Sequence, residues 1–348
     1  MSFQIIDRLF YVYHLKQMNV PKIDTELTRM LGIDYPVIMA PMFLVSSPKM
    51  VIAACQSGIT GAIPALNFRS DAEFRKGLDE IKKATDKPFG INLIVNKSNI
   101  RMEEQLKTCV EYKIGFIITS LGSPQTVIEA CKPVGIKVFC DVTDLEYAKK
   151  VESLGCDALV AVNNEAGGHA GKLAPRDLIT MLKKHCHIPV ISAGGVGTGA
   201  QMKKMLDYGA CGVSVGSPFI ASNESPVTEE YKMAVVHYGA KDIVMTTKLS
   251  GTPCTVINTD YVKKVGTEQN WVERFLNHNK KIKKWTKMVT YYKGMKTLEK
   301  AAFGATYQTM WCAGPSIEYV HSIRPAKEII EELIEGYYKA ANEPVAST

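Results

Sequence analysis

The chain has 348 residues, 46% of them hydrophobic and 22% charged. That is ordinary globular composition, which excludes a disordered polymer and leaves room for a core that needs no staples. The net charge of +7 is local: seven lysines and no acid lie between Phe275 and Leu298. The rest is near neutral, so nucleic acid is not an expected partner.

The nine cysteines are odd in number and none has CxxC spacing. This speaks against a disulfide framework and a zinc ribbon, and for a reducing compartment. No apolar run reaches about 18 residues, so no membrane span is expected. The start, MSFQIIDRLFYVYHLKQ, lacks the basic region and long apolar core of a signal peptide. A cytoplasmic, soluble protein is expected.

Residues 1–30 read as a helical lead-in. Eight short apolar, β-branched runs then recur: PVIMAP (36–41), TGAIPA (60–65), FGINLI (89–94), FIITSL (116–121), KVFCDV (137–142), ALVAVN (158–163), PVISAG (189–194) and GVSVGS (212–217). They are nearly continuously apolar, as strands buried on both faces are. Helical periodicity follows at 47–56, 71–83, 102–112, 124–130, 144–154, 175–184 and 198–208. Gly115, Gly155 and Gly209 fit as helix stops. Eight βα units in about 200 residues predict a (β/α)8 barrel over 31–222. A doubly wound sheet is the alternative, but no GxGxxG follows the first run.

The rhythm breaks over 223–310. That stretch predicts an inserted helical, substrate-covering segment with a helix at 229–238, a loop SGTPCTVIN (250–258) and the lysine-rich part. Residues 311–348 predict a return to the barrel, with PAKEIIEELIEGYY (325–338) as its last outer helix.

Chemistry in a parallel barrel collects at the C-terminal ends of the strands. The turn AGGVGTG (193–199) after the seventh strand and Gly216-Ser217 after the eighth are glycine-rich and adjacent. Glycine admits close backbone approach to an anion, and helix N-termini offer free N–H donors. Together they predict a phosphate site, for a substrate or for flavin mononucleotide. Taken singly, each would be only a tight turn. His169 stands among glycines after the sixth strand, where an imidazole can exchange a proton near neutral pH. Glu165, four residues earlier, would orient it or hold the loop. The segment His185-Cys186-His187 is a poor metal site: neighbouring side chains point apart, on the opposite end of the barrel. No metal is expected.

At EAGGHAG (165–171) the chain resembles the nitronate monooxygenases, once called 2-nitropropane dioxygenases, and the related flavin-dependent enoyl-acyl-carrier-protein reductases. The other markers are PVIMAPM (36–42), FGINL (89–93), PVISAGGVGTG (189–199), GACGVSVGSPF (209–219) and TKLSGTPCTVIN (247–258). The resemblance runs from about Leu31 to Asn258 and resumes at Ala313-Gly314-Pro315. It implies a barrel holding FMN. The implied flavin contacts are Ala40, Pro41, Met42, Asn92, the loop Glu165, Ala166, Gly167 and Gly168, the turn Gly194 and Gly195, and Ser214, Val215, Gly216 and Ser217. Asp141 is implied near the flavin or the glycine loop. His169 matches the family's active-site histidine, a base toward nitroalkanes or a group that positions the nitronate anion.

The chain departs from the pattern at Val162, where Gln or Glu is usual, at Asn163, usually Gly, and at Pro218, usually Arg. The first expectation is therefore an FMN-dependent oxidase of small alkyl nitronates. The second is an NADH- or NADPH-dependent reductase of an enoyl thioester or a quinone, with the lysine segment attracting an acidic acyl carrier protein or a nucleotide phosphate. A flavin-free isomerase acting on a phosphorylated substrate, and a non-enzymatic binding barrel, stand behind these. A homo-oligomer is expected.

Overall fold

The computed structural model describes residues 21–97, 99–249, 252–268 and 310–342. The lysine-rich segment 275–298 and residues 1–20 lie outside the described residues.

Eight parallel strands close into a barrel: β1 (Val37–Met39), β2 (Thr60–Pro64), β3 (Gly90–Ile94), β4 (Phe116–Ser120), β5 (Lys137–Val142), β6 (Ala158–Val162), β8 (Val190–Ala193) and β9 (Gly212–Val215). The odd strand out, β7 (Gly168–His169), lies in the loop after β6. Pairing of β1 with β9, Ile38 opposite Ser214, makes the ring complete. All eight expected runs are strands, and closure rules out the open doubly wound sheet.

Strand alternation sorts the side chains into two layers. One face of each strand, such as Val37, Ile91, Leu159 and Val190, packs against the outer helices. The other, including Ile38, Phe116, Phe139, Val160 and Ile191, fills the barrel interior. Phe116 and Phe139 stack at 5.0 Å between ring centroids. Gly90 is small for their sake: a Cβ there would stand 2.2 Å from the Phe116 ring.

The lead-in supplies the helix Glu26–Leu31, which begins on a capping box at Thr25 and ends on Gly32 in the left-handed region. Leu27 and Leu31 join the interior cluster, so this helix plugs the N-terminal end of the barrel. Leu27 is fully buried. Leu27→Ala is expected to cost about 2–5 kcal/mol by opening a cavity in a place that cannot collapse. A urea titration of the two proteins checks this.

The outer helices fall where periodicity placed them, within two residues at most ends up to the eighth strand. One stop was misread. After the helix Met102–Glu111 the left-handed residue is Lys113, not Gly115. Gly115 is instead kept small by Pro88, whose Cβ would be 2.7 Å from an added methyl. Gly155 and Gly209 do take positive φ. The last helix, Ala326–Asn342, packs on the helices Gly199–Asp207 and Pro48–Gln56 and fills the eighth outer place. Its approach to Gly199 is so close that a Cβ there would meet the Tyr337 nitrogen at 2.0 Å.

The segment after β9 carries the expected helix, Glu229–His237. It also carries strands that were not foreseen. Strand β10 (Ile243–Thr246) pairs antiparallel with β11 (Cys254–Ile257), and β11 pairs with β7. The expected loop 250–258 is therefore half strand. The period-2 signal was missed because Cys254-Thr255-Val256-Ile257 is buried throughout and does not alternate. No helix among the described residues is long and apolar enough to cross a membrane.

Candidate active site

A cavity of about 700 Å³ opens at the C-terminal ends of the barrel strands. Its floor is the top of the barrel interior, with Ile118 and Val160. Its roof comes from the segment after β9 and the return to the barrel, with Tyr231, Leu249, Thr252 and Met310.

Every predicted site residue but one lines it. Ala40, Pro41 and Met42 end β1. Asn92 and Asp141 come from β3 and β5. Glu165, Ala166, Gly167, Gly168 and His169 follow β6. Gly194 and Gly195 end β8, and Ser214, Gly216 and Ser217 lie at the end of β9. The exception is Val215. It is buried in the layer between barrel and helices, because the residue after an inward Ser214 must point outward.

The loop bearing His169 is held from three sides. β7 pairs with β11, placing His169 opposite Cys254. Thr255 donates its hydroxyl to the Ala166 carbonyl at 2.6 Å. Gly314, from the chain's return, donates its N–H to Ser217 Oγ at 2.9 Å, and a Cβ on Gly314 would stand 2.6 Å from the Glu165 carbonyl oxygen. His169 is thus aimed by a strand that lies some 85 residues later in the chain. Thr255 is one functional residue the sequence reading overlooked.

Asn163 ties the two glycine loops together. Its amide donates to the Gly194 carbonyl at 3.1 Å, and its Oδ1 accepts the Glu165 N–H at 2.8 Å. The family's usual glycine could do neither. Glu165 lies over the neighbouring turn: a Cβ on Gly195 would meet its Oε2 at 2.0 Å. Of the two expected roles for Glu165, this contact favours holding the loop. Gly194 and Gly195 both take positive φ, 110° and 79°, which an L side chain adopts only under strain. Among the described residues the turn makes no hydrogen bond of its own with the Gly195 and Val196 N–H groups.

The side opposite these turns is polar. Asn92 Nδ2 donates to the Ile118 carbonyl at 3.1 Å and to Ser120 Oγ at 2.7 Å. Ser120 in turn donates to Asp141 Oδ2. Ser120 was a missed partner, though legible: Phe116, Ile118 and Ser120 alternate inward, and the pairing of Thr119 with Cys140 sets Ser120 beside Asp141. Burial pushes the Asp141 carboxyl up to about 6, with the Ser120 hydroxyl pulling the other way. Asp141 keeps some exposed surface only because the cavity in front of it is open.

His169 is likewise exposed to the cavity but set deep among protein atoms. That surrounding desolvation lowers its pKa from the ordinary imidazole value. It is therefore neutral at pH 7 and able to accept a proton. All nine cysteines are free thiols. Among the described residues no group of three or more His, Cys, Asp or Glu is placed to hold a metal ion.

The loop after β1 is braced from below. Ser46 Oγ accepts the Met42 N–H at 2.8 Å and donates to the Ala40 carbonyl. Asn67 accepts the Leu44 N–H and donates to the Ser46 carbonyl. These contacts hold Leu44 at a φ of 60°, a strain that a cavity-lining loop can store.

Comparison with known proteins agrees with this fold. The family model described as nitronate monooxygenase matches residues 24–336. That span includes the barrel-plugging helix and the segment after β9. A nitronate monooxygenase of Paraburkholderia phytofirmans is 31% identical over 271 residues, with 65% of this chain and 74% of that protein covered. A (3aS,4S,5R,7aS)-5-hydroxy-7a-methyl-1-oxo-octahydro-1H-indene-4-carboxyl-CoA dehydrogenase of Rhodococcus jostii is 30% identical over 238 residues, 68% of this chain and 67% of the relative. Among solved structures, FabK from Thermotoga maritima superposes with a TM-score of 0.80 at 28% identity, over 92% of this chain and 97% of that one. On the extent of the family match, the chain belongs to the nitronate monooxygenase family.

Proposed function

We propose that this protein is an FMN-dependent oxidase of small alkyl nitronates, using O2 as the electron acceptor. The observation that carries this is the single cavity wall shared by His169, the glycine turns after β8 and β9, and an apolar floor. Family membership supports it.

The residues fit FMN. The Gly195 and Val196 N–H groups, unused by their own turn, suit a phosphate. Among the described residues the cavity's lining includes no lysine or arginine, so backbone donors would carry that contact. Asn92 uses both amide hydrogens, which leaves its Oδ1 as an acceptor for a ring N–H. Volumes of about 300–1,000 Å³ are usual for enclosed ligands, and this cavity falls among them.

When bound, the flavin would supply the electron-accepting chemistry that no side chain can replace. The chain's own residues do the rest. Neutral His169 takes the proton from the carbon beside a nitro group, or holds a nitronate already formed. Met42 and Phe43 give the substrate an apolar wall. Leu249, Tyr231 and Met310 limit water from above.

A second reading is an NAD(P)H-dependent reductase of an enoyl thioester or a quinone. The CoA-ester relative and the likeness to FabK favour it. Docking of an acyl carrier protein on the lysine segment belongs to that reading. Oxygen uptake by the FMN-loaded protein with propionate 3-nitronate, and no nicotinamide, separates the two. Rapid uptake is expected. No uptake, with NADH oxidised in the presence of an enoyl thioester, would replace the first reading with the second.

A further inference from the structure

The cavity's charged or readily charged lining consists of Asp141, Asp144, Glu165 and His169, with no lysine or arginine among the described residues. Among the described residues, negative charge that arrives inside it meets no fixed cation. In so desolvated a place, charge has to be balanced by a proton.

One group is built to hold such a proton. Asp141 stands at the end of a directed chain. The Ile118 carbonyl can only accept, so the Asn92 amide nitrogen faces it, and the second amide hydrogen goes to Ser120. Ser120, already accepting, spends its own hydrogen on Asp141 Oδ2. The second carboxylate oxygen is left to take a proton.

The other groups around Asp141 are occupied. Tyr147 donates its hydroxyl to the Gly122 carbonyl, and burial pushes it up to about 12. Asp144 caps the helix Leu145–Ser153 by accepting the Tyr147 N–H at 2.8 Å. From the loop after β6, Glu165 lies over Gly195 and His169 stands on β7. Strands β3, β4 and β5 are third to fifth in the ring, and β8 and β9 are seventh and eighth. A mononucleotide whose phosphate is held at the latter would share one cavity with Asn92, Ser120 and Asp141.

Resting on the FMN assignment above, we infer that Asp141 is a proton-storing residue beside the flavin. Bound flavin would supply electron-accepting chemistry at this end of the barrel. The Asp141 carboxylate takes one proton from solvent when negative charge accumulates in the cavity and returns it to solvent when that charge leaves. Ser120 and Asn92 are positioning residues that set the pH at which Asp141 releases its proton. Burial already lifts this carboxyl to about 6, so it is ionised and ready to accept at neutral pH.

The test is a spectroelectrochemical titration of the FMN-loaded full-length protein, with dithionite reduction as a check. The flavin midpoint potential is followed between about pH 7 and pH 8. Wild type is expected to take up two protons per two electrons and Asp141→Asn one, so the potential falls about twice as steeply with pH in wild type. Ser120→Ala is expected to keep the two-proton slope and to move its lower pH limit up by about one unit, the loss of a hydrogen bond to a charged acceptor. Equal slopes in wild type and Asp141→Asn overturn the inference, as they would if His169 stored the proton. A protein that takes up no FMN overturns this inference and the FMN assignment together. One that binds FMN with equal slopes overturns this inference alone.

Discussion

Replacing His169 with alanine is expected to lower turnover by about 10²–10⁴-fold, the usual contribution of a positioned acid or base. Bound FMN is expected to stay, because backbone pairing of β7 with β11 and the Thr255 hydroxyl hold the loop. The pH profile gives the sign of the mechanism. Desolvation lowers the His169 pKa, so a base reading places the acidic limb of kcat/KM with a neutral nitroalkane below the ordinary imidazole range. Activity then rises as pH climbs through that limb and is flat by neutral pH. A profile that instead falls through that pH would make the imidazolium the active form. Steady-state kinetics of the two proteins over pH, with flavin content measured by absorbance, decides it. Unchanged turnover in His169→Ala would remove this residue from the reaction.

Gly194→Ala is expected to be the most damaging single methyl in the site. Gly194 holds a φ of 110°, and the added Cβ would lie 2.4 Å from Asn163 Oδ1 and 2.5 Å from the Ala166 nitrogen. The first neighbour is a side chain pinned by its own hydrogen bonds, and the second is backbone. Neither gives way cheaply. Strain and overpacking together are expected to cost on the order of 3 kcal/mol. The two loops that Asn163 joins would part, and FMN affinity would fall at least tenfold. Denaturant melts and fluorescence titration with FMN measure both. A variant that melts and binds like wild type would show that the turn is not part of the site.

The barrel was legible because each strand is buried on both faces and so reads as a short apolar run. Closure followed from counting eight such runs. The site was legible where it is made of local turns: Gly194 and Gly195 announce themselves by composition, and His169 by standing among glycines. Val215 was misassigned because a motif names a run of residues, while strand alternation admits only every second one. Gly115 was misread as a stop because glycine serves close packing as readily as positive φ. Cys254–Ile257 hid as a strand because its cover lies on both sides.

Local pattern therefore determined, from the sequence alone, the eight barrel strands, the outer helices and the end of the barrel where chemistry collects. What only the tertiary structure decided is how those pieces meet. Thr255 reaches back 89 residues to hold the Ala166 carbonyl, Ser217 accepts a hydrogen bond from Gly314, and Ser120 couples Asn92 to Asp141. Periodicity reports which face of a segment is buried. It carries no record of which distant backbone group will be near enough to accept a hydrogen bond, because that is settled when the chain closes on itself.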